Sequence, residues 1–146
     1  MTENRFGACM TSYETVNEDG SFRNIVHIDE RLDYKKFLKK PPTCSHTIMF
    51  DTELVDKKAL VMPDIRKRQD AATWLQVIKL YGCLHGFDEV LAANRKRSDS
   101  LSANKVSAVK GTWFLYTEIE GLSKPYAGYC LFWQMFHAVL KRIGKR

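Results

Sequence analysis

The hydrophobic pattern of the chain changes period at Gln69, and this change constrains the fold most. Beyond it the large apolar residues recur at the spacing of an amphipathic helix: Trp74, Leu75, Val77, Ile78 and Tyr81. Gly82 follows at a position where glycine commonly ends a helix. The segments before Gln69 are rich in β-forming residues instead. A helix over 69–81 that follows such β-rich segments predicts an α/β fold with a small mixed sheet. The fold is α+β-like, because the strands and the helices lie in separate parts of the sequence.

The first forty residues predict a hairpin and a short helix. Residues 6–16 and 22–28 are β-rich, and the turn signal Asp19-Gly20 between them predicts an antiparallel pair. Residues 33–40 carry helical spacing, and Pro41-Pro42 forbids continuation. Weaker patterns predict three further elements: a strand over 44–50, a short helical segment over 52–58 and a strand over 87–94.

Two long helices are predicted at the end of the chain, over 102–120 and 125–143. The second is rich in large apolar residues and ends in basic ones. Packing on the first helix is the favoured interpretation, and contact with an anionic membrane surface is the alternative. We expect residues 1–146 to form one domain, with the hairpin, strands and helix 69–81 in 1–101 and the helical pair in 102–146.

Composition excludes several classes of protein. Lys and Arg total 23 against 17 Asp and Glu, so the chain is basic, with a formal net charge of +6. Cys9, Cys44, Cys83 and Cys130 show no zinc-ribbon spacing and suit reduced, buried thiols of a cytoplasmic protein. The four histidines are not paired, so no metal site is predicted. Hydrolase, P-loop and dinucleotide motifs do not occur, and neither a signal peptide nor a membrane-spanning helix is expected.

The basic segment 62–70 immediately before helix 69–81 is the most informative stretch. Asp70 falls in the first helical turn, where backbone N–H groups and the helix dipole favour an ionised carboxylate. Such a carboxylate can act as a general base or simply stabilise the helix start, and spacing alone favours the second. Trp74, one turn further on, can stack on a sugar or pack in the core, which is favoured.

Three motifs in order resemble bacterial family 2 glycosyltransferases, and most closely those of the teichuronic acid and capsule type. They are Met-Pro-Asp-Ile-Arg-Lys-Arg-Gln-Asp at 62–70 followed by Trp74, Asp-Glu-Val-Leu-Ala at 88–92, and Arg-Lys-Arg-Ser-Asp-Ser-Leu-Ser at 95–102. The resemblance extends to residues 11–14 and 44–47, so it covers nearly the whole chain. It implies a GT-A fold and an enzyme that transfers a sugar from a nucleotide diphosphate donor to a surface glycan, with inversion at the anomeric carbon.

One departure from the family is clear: no Asp-x-Asp motif for the metal occurs in the sequence. The chain therefore resembles the C-terminal, acceptor-side half of such an enzyme. We expect it to be inactive alone and to hold no cofactor, the complete enzyme using Mg²⁺ or Mn²⁺. Its partners would be a nucleotide sugar and a glycan acceptor at the cytoplasmic face of the membrane. Unpaired strand edges and the aromatic helix 125–143 predict a homodimer.

The resemblance also implies roles for individual residues. Asp70 matches the carboxylate that deprotonates the acceptor hydroxyl, and Gln69 stands where many members have Glu. Arg97 stands where relatives carry His near the diphosphate, and an arginine there can hold phosphate oxygens. The predicted acceptor or donor contacts are Arg68, Gln69, Trp74, Arg95 and Arg97.

A basic, non-catalytic binding module is the alternative function. Five basic residues in 31–40 and three in 66–68 can bind phosphorylated ligands. No helix-turn-helix or RNP-like aromatic motif accompanies them, so nucleic acid is not the favoured partner.

Overall fold

The computed structural model describes residues 5–41, 45–97 and 105–143, with side chains as far as Leu140. Within these ranges five strands form one mixed sheet in the order β2-β1-β5-β3, and β4 also pairs with β1. The strands are β1 Ala8–Val16, β2 Phe22–Val26, β3 Arg31–Leu32, β4 Ile48–Phe50 and β5 Leu84–Arg95. β1 is antiparallel to β2 and β4 and parallel to β5, while β3 is antiparallel to β5. The predicted α/β class with a small mixed sheet is confirmed, as is the hairpin.

Four helices accompany the sheet in the described ranges: α1 Tyr34–Lys39, α2 Gln69–Tyr81, α3 Lys105–Phe114 and α4 Lys124–Ile143. The side chain of Asp33 caps α1 by accepting the N–H of Lys36 at 2.9 Å. Gly82 ends α2 with a φ of 93°, which favours glycine, and its N–H donates to the carbonyl of Ile78. Local capping and stop signals therefore place α1 and α2 where the sequence predicts them.

The core lies between the sheet and α1, α2 and the end of α3. Leu75 and Val77 of α2 are fully buried, as are Met10 of β1 and Leu38 of α1. Trp74 is 4% exposed and meets Phe37 edge to face, with ring centroids 6.0 Å apart. One face of α2 therefore holds the fold together, and it also fixes the position of the first turn of that helix.

Three predicted elements before α3 differ from the structure. Only Ile48–Phe50 of the predicted strand 44–50 pairs with β1; a 3-10 turn, Ser45–Thr47, precedes it, and Cys44 lies outside the described residues. The prediction of a helical segment over 52–58 is wrong, because a turn occupies 52–54 and the 3-10 helix is Lys57–Leu60, which Asp56 caps. β5 begins at Leu84 rather than at 87, since Leu84 and His85 pair with β3.

The predicted helix 102–120 divides in two. α3 ends at Phe114 and continues as a π-helical turn, Leu115–Ile119, closed by the Glu120 N–H to the carbonyl of Leu115. Residues 102–104 lie outside the described ranges. α4 follows the connection and packs on α1 and α3 through an inner face where Ala127 and Cys130 are fully buried.

The described cysteines Cys9, Cys83 and Cys130 are free and buried, as predicted. Burial raises the pKa of the Cys9 and Cys130 thiols. Among the described residues no helix is long and apolar enough to cross a membrane.

Candidate functional site

A small cleft opens beside the first turn of α2, with a cavity volume of about 40 Å³. Arg68, Asp70 and Trp74 line it from the start of α2, and Tyr116 and Gln134 line it from the π-helical turn and α4. Three of the residues predicted from the sequence therefore meet at one cavity, and side chains from the C-terminal helices complete it.

Asp70 is the second residue of α2 and is half-buried at this cleft. Its Oδ2 accepts a hydrogen bond from Ser45 Oγ at 2.7 Å, and its Oδ1 accepts one from the Ala71 N–H at 2.8 Å. The exposed backbone N–H groups of the first turn stabilise negative charge at this position. The carboxylate is therefore oriented by two hydrogen bonds, and one of them comes from a hydroxyl group.

Arg68 enters α2 in the left-handed conformation, with φ 66° and ψ 18°. This conformation is uncommon for a residue with a side chain and is retained where surrounding contacts impose it. Those contacts come from α3: Gly111 leaves room for the side chains of Lys67 and Arg68, and Lys67 Nζ donates to Ser107 Oγ at 2.5 Å. The close approach of α3 thus sets how the chain enters the head of α2.

The structure places Trp74 in the core rather than as an open platform. Its burial against Phe37 leaves only part of it on the wall of the cleft. The favoured prediction of a packing role for Trp74 agrees with this position.

A buried polar network that the sequence did not reveal closes the cleft. The Tyr116 hydroxyl donates to the carbonyl of Leu38 at 2.6 Å, and Gln134 Nε2 donates to the same carbonyl at 2.8 Å and to the Tyr116 oxygen. Burial raises the pKa of Tyr116, so its phenol stays protonated and remains a donor. The only sequence signal was Gln134 itself, a polar residue that interrupts the apolar run of α4.

Gln69, Arg95 and Arg97 do not line this cleft. Gln69 is exposed, and its carbonyl accepts a hydrogen bond from Thr73 Oγ1. Arg95 is the last residue of β5, opposite Val16 of β1, and Arg97 follows two residues later. A role for these arginines at a phosphate remains a prediction.

A second polar cluster lies in the motif at 88–92. The pairing of β5 with β1 jumps from Phe87 to Val90, so Asp88 sits in a bulge. Its Oδ1 accepts hydrogen bonds from Ser12 Oγ at 2.5 Å and lies 2.7 Å from His27 Nδ1. The bond from Ser12, and then that from His27, lowers the pKa of the Asp88 carboxyl. The cluster ties the end of β2 to the bulge, which gives this acidic motif a structural role.

Within the ranges 5–41, 45–97 and 105–140 no three His, Cys, Asp or Glu side chains come together as a metal site.

Comparison with known proteins shows that the chain is similar to a bacterial protein named as a glycosyltransferase, which confirms the resemblance to such enzymes. It is 37% identical over 144 residues to TuaG of Bacillus subtilis (strain 168), a protein named as a teichuronic acid biosynthesis glycosyltransferase. The match covers 98% of this chain but 56% of the relative, so the chain spans about half of the relative's length. No protein-family model matches the chain, and no solved structure matches it.

Proposed function

We propose that the chain forms the acceptor side of an inverting glycosyltransferase of family 2, with a GT-A fold, and that Asp70 is its general base. The observation that carries the proposal is the Asp70 carboxylate, held at the head of α2 in a cleft and bonded to a hydroxyl at 2.7 Å. The relationship to a glycosyltransferase over 98% of the chain supports it. The small mixed sheet is consistent with the C-terminal half of such an enzyme.

The chemistry needs one base on this side of the reaction. The acceptor hydroxyl gives its proton to Asp70 as its oxygen attacks the anomeric carbon of the donor sugar. The bond from that carbon to the diphosphate oxygen breaks on the opposite side, and the nucleoside diphosphate leaves with the bonding electron pair. The configuration at the anomeric carbon is thereby inverted.

The hydrogen bond from Ser45 supports the proposed position of the acceptor hydroxyl. Its Oγ donates to Asp70 Oδ2 with the geometry that an acceptor hydroxyl needs before proton transfer. An acceptor hydroxyl takes the place of Ser45 or shares the carboxylate with it. The Tyr116 hydroxyl lies on the wall of the same cleft. Because its proton is donated to the carbonyl of Leu38, a sugar hydroxyl there can donate to the Tyr116 oxygen.

The donor side is assigned outside this cleft. No Asp-x-Asp motif occurs in the sequence, and the described residues hold no acidic cluster for a metal. The nucleotide and its Mg²⁺ or Mn²⁺ are therefore assigned to a second half that completes the enzyme. Arg95 and Arg97 are the residues of this chain proposed to contact the diphosphate. The free, buried thiols suit the reducing cytoplasm, where nucleotide sugars would be the donors.

Self-association is proposed through the open edge of β5. β3 pairs with β5 at Leu84 and His85, and the Gly86 N–H donates to the carbonyl of Glu30. Beyond Gly86 no strand of the described residues pairs with this edge. Phe87, Val90 and Leu91 are exposed there, which makes the edge a template for a second copy. Light scattering at low micromolar concentration should give a homodimer that Leu91→Lys weakens, whereas a monomer of 16.9 kDa would contradict the proposal.

A chimera tests the proposed function. The 144 matched residues of TuaG are replaced by this chain, and release of nucleoside diphosphate is followed with a panel of nucleotide sugars and acceptors. The folded chimera should transfer sugar, and the 146-residue chain alone should neither transfer nor bind a nucleotide sugar with Mn²⁺ at micromolar affinity in calorimetry. Turnover or tight donor binding by the chain alone, or a folded chimera without activity, would contradict the proposal.

A further inference from the structure

The outer face of α4 is apolar, and nothing in the described part of the chain covers it. Six large side chains on it are each at least 43% exposed: Tyr129, Phe132, Met135, Phe136, Val139 and Leu140. At 100° per residue they fall within an arc of about 140°, opposite the buried Ala127 and Cys130. A helix that is apolar on both sides needs a second apolar environment.

The border of this face is positively charged. Four lysines of α1 and the residue after it, Lys35, Lys36, Lys39 and Lys40, line one groove with His137 of α4. Lys39 Nζ lies 5.2 Å from the ring centroid of Tyr129, so the lysines of this groove extend as far as the apolar face. The sequence of α4 contains no acidic residue.

Two carboxylates of the groove already accept hydrogen bonds from other groups of the protein. Asp29 accepts a hydrogen bond from Lys40 at 3.1 Å and lies 3.5 Å from Lys36, and Asp33 caps α1. Partial burial raises the pKa of the Asp29 carboxyl, but the hydrogen bond and charge of Lys40 outweigh it and hold the pKa below its usual value. The four lysines still outnumber the two aspartates, so the groove remains cationic.

We propose that the outer face of α4 lies on an anionic phospholipid surface, with its aromatic and aliphatic side chains in the headgroup boundary and the lysines of α1 on lipid phosphates. An apolar helix face beside a cationic rim is the combination that binds helices in the plane of such a surface. The inference goes beyond the proposed glycosyl transfer and does not rest on it.

Other occupants of this face fit it less well. A second copy would hold two chains of net charge +6 together with no acidic residue on either α4 to pair with the lysines. A nucleic acid would use the lysines but would leave Val139 and Leu140 without an apolar partner. Of these three occupants, the lipid surface matches both the apolar face and the charge.

Vesicle sedimentation of the 146-residue chain tests the proposal directly. Vesicles of equal parts phosphatidylglycerol and phosphatidylcholine should bind the chain, and pure phosphatidylcholine vesicles should bind it at least tenfold more weakly, since each lysine near an anionic surface contributes about fivefold. Raising the salt concentration should weaken the binding. Absence of binding to the anionic vesicles, or equal binding to both, would overturn the proposal.

Matched variants locate the binding surface. Phe132→Glu with Phe136→Glu should lower vesicle affinity at least tenfold, and Met49→Glu with Phe22→Glu is the control, because it changes the net charge equally at exposed apolar positions of the sheet. Lys35→Gln with Lys39→Gln should also weaken binding, compared with Lys57→Gln and Lys58→Gln in the exposed 3-10 helix. Equal effects of the test and control pairs would overturn the assignment.

Amide hydrogen exchange of the unmodified chain gives the same answer without relying on a variant that folds. Anionic vesicles should slow exchange within 129–140, and protection confined to other segments would overturn the proposal. The proposal would also be overturned if the chain did not bind vesicles and light scattering showed a dimer that Phe132→Glu with Phe136→Glu dissociates. Binding of a DNA duplex through Lys35 and Lys39 without vesicle binding would equally reject the lipid surface.

Discussion

Helices α2 and α4 are both strongly apolar, but they use that character in opposite ways. α2 buries seven of its thirteen residues against the sheet and its neighbours, and Leu75 and Val77 are inaccessible to solvent. α4 turns its small residues inward, with Ala127 and Cys130 fully buried, and turns its large ones outward. The fold of the chain explains the sequence of α2 and explains only one face of α4.

The contrast separates a helix that positions a side chain of the cleft from a helix that presents a binding surface. Because α2 is fixed by a complete core, its first turn can hold Asp70 at a constant place in the cleft. The large side chains of α4 add little to that core, and Gln134 is the residue of α4 that lines the cleft among those whose side chains are described. A helix that supports a site and a helix that presents a surface are thus distinguished by where their large residues point.

The largest expected effect on stability lies in the core of α2, and it distinguishes α2 from α4. Leu75→Ala should lower the free energy of unfolding by about 3 kcal/mol, because it leaves a cavity in a closed core. Leu140→Ala, at a residue 46% exposed on α4, should cost less than about 0.5 kcal/mol. Denaturant unfolding of both variants measures the difference, and equal losses would mean that the outer face of α4 is buried after all.

A smaller loss in the free energy of unfolding is expected at Gln134, through which α4 makes a polar contact at the cleft. Gln134→Leu removes a donor to the carbonyl of Leu38 while Tyr116 keeps its own bond to it, so the loss should be about 1 kcal/mol. His137→Leu on the same helix is the control, measured by the same unfolding method. No loss at Gln134 beyond that of the control would show that the network does not anchor α4.

The smallest effect should have the opposite sign. A Cβ added at Gly128 of α4 meets no atom within 4 Å, so Gly128→Ala should stabilise the helix by about 0.5 to 1 kcal/mol. At Gly111 of α3 a Cβ would come within 3.2 Å of Lys67 Cβ, and the same substitution should destabilise by crowding the entry to α2. A thermal midpoint that falls for Gly128→Ala would reveal contacts on that side of α4.

Elements that depend on neighbouring residues were predictable from the sequence. The apolar spacing of α2 with its terminal Gly82, the stop after α1 and the Asp19-Gly20 turn of the hairpin are all local signals. The position of Asp70 in a first helical turn followed from the same pattern. Each of these features is decided within a few residues of the chain.

Features set by distant partners were not predictable. Leu38 meets Tyr116 and Gln134 across 78 and 96 residues of sequence, and no pattern near any of them indicates that contact. The bulge at Asp88 exists because β5 runs beside β1, and the early start of β5 depends on its pairing with β3. The prediction of a helical segment over 52–58 failed because the caps of Asp51 and Asp56 favour turns there.

The role of Asp70 is tested most directly by measuring turnover and thermal midpoint together in the chimera with TuaG. Asp70→Asn should lower turnover by roughly 10² or more, the usual cost of losing a general base, with the thermal midpoint nearly unchanged. Asp64→Asn, at an exposed aspartate six residues earlier, is the matched control and should leave both quantities as they are. If Asp70→Asn instead lowered the thermal midpoint and kept turnover near that of the control, Asp70 would be a residue that only stabilises the start of α2.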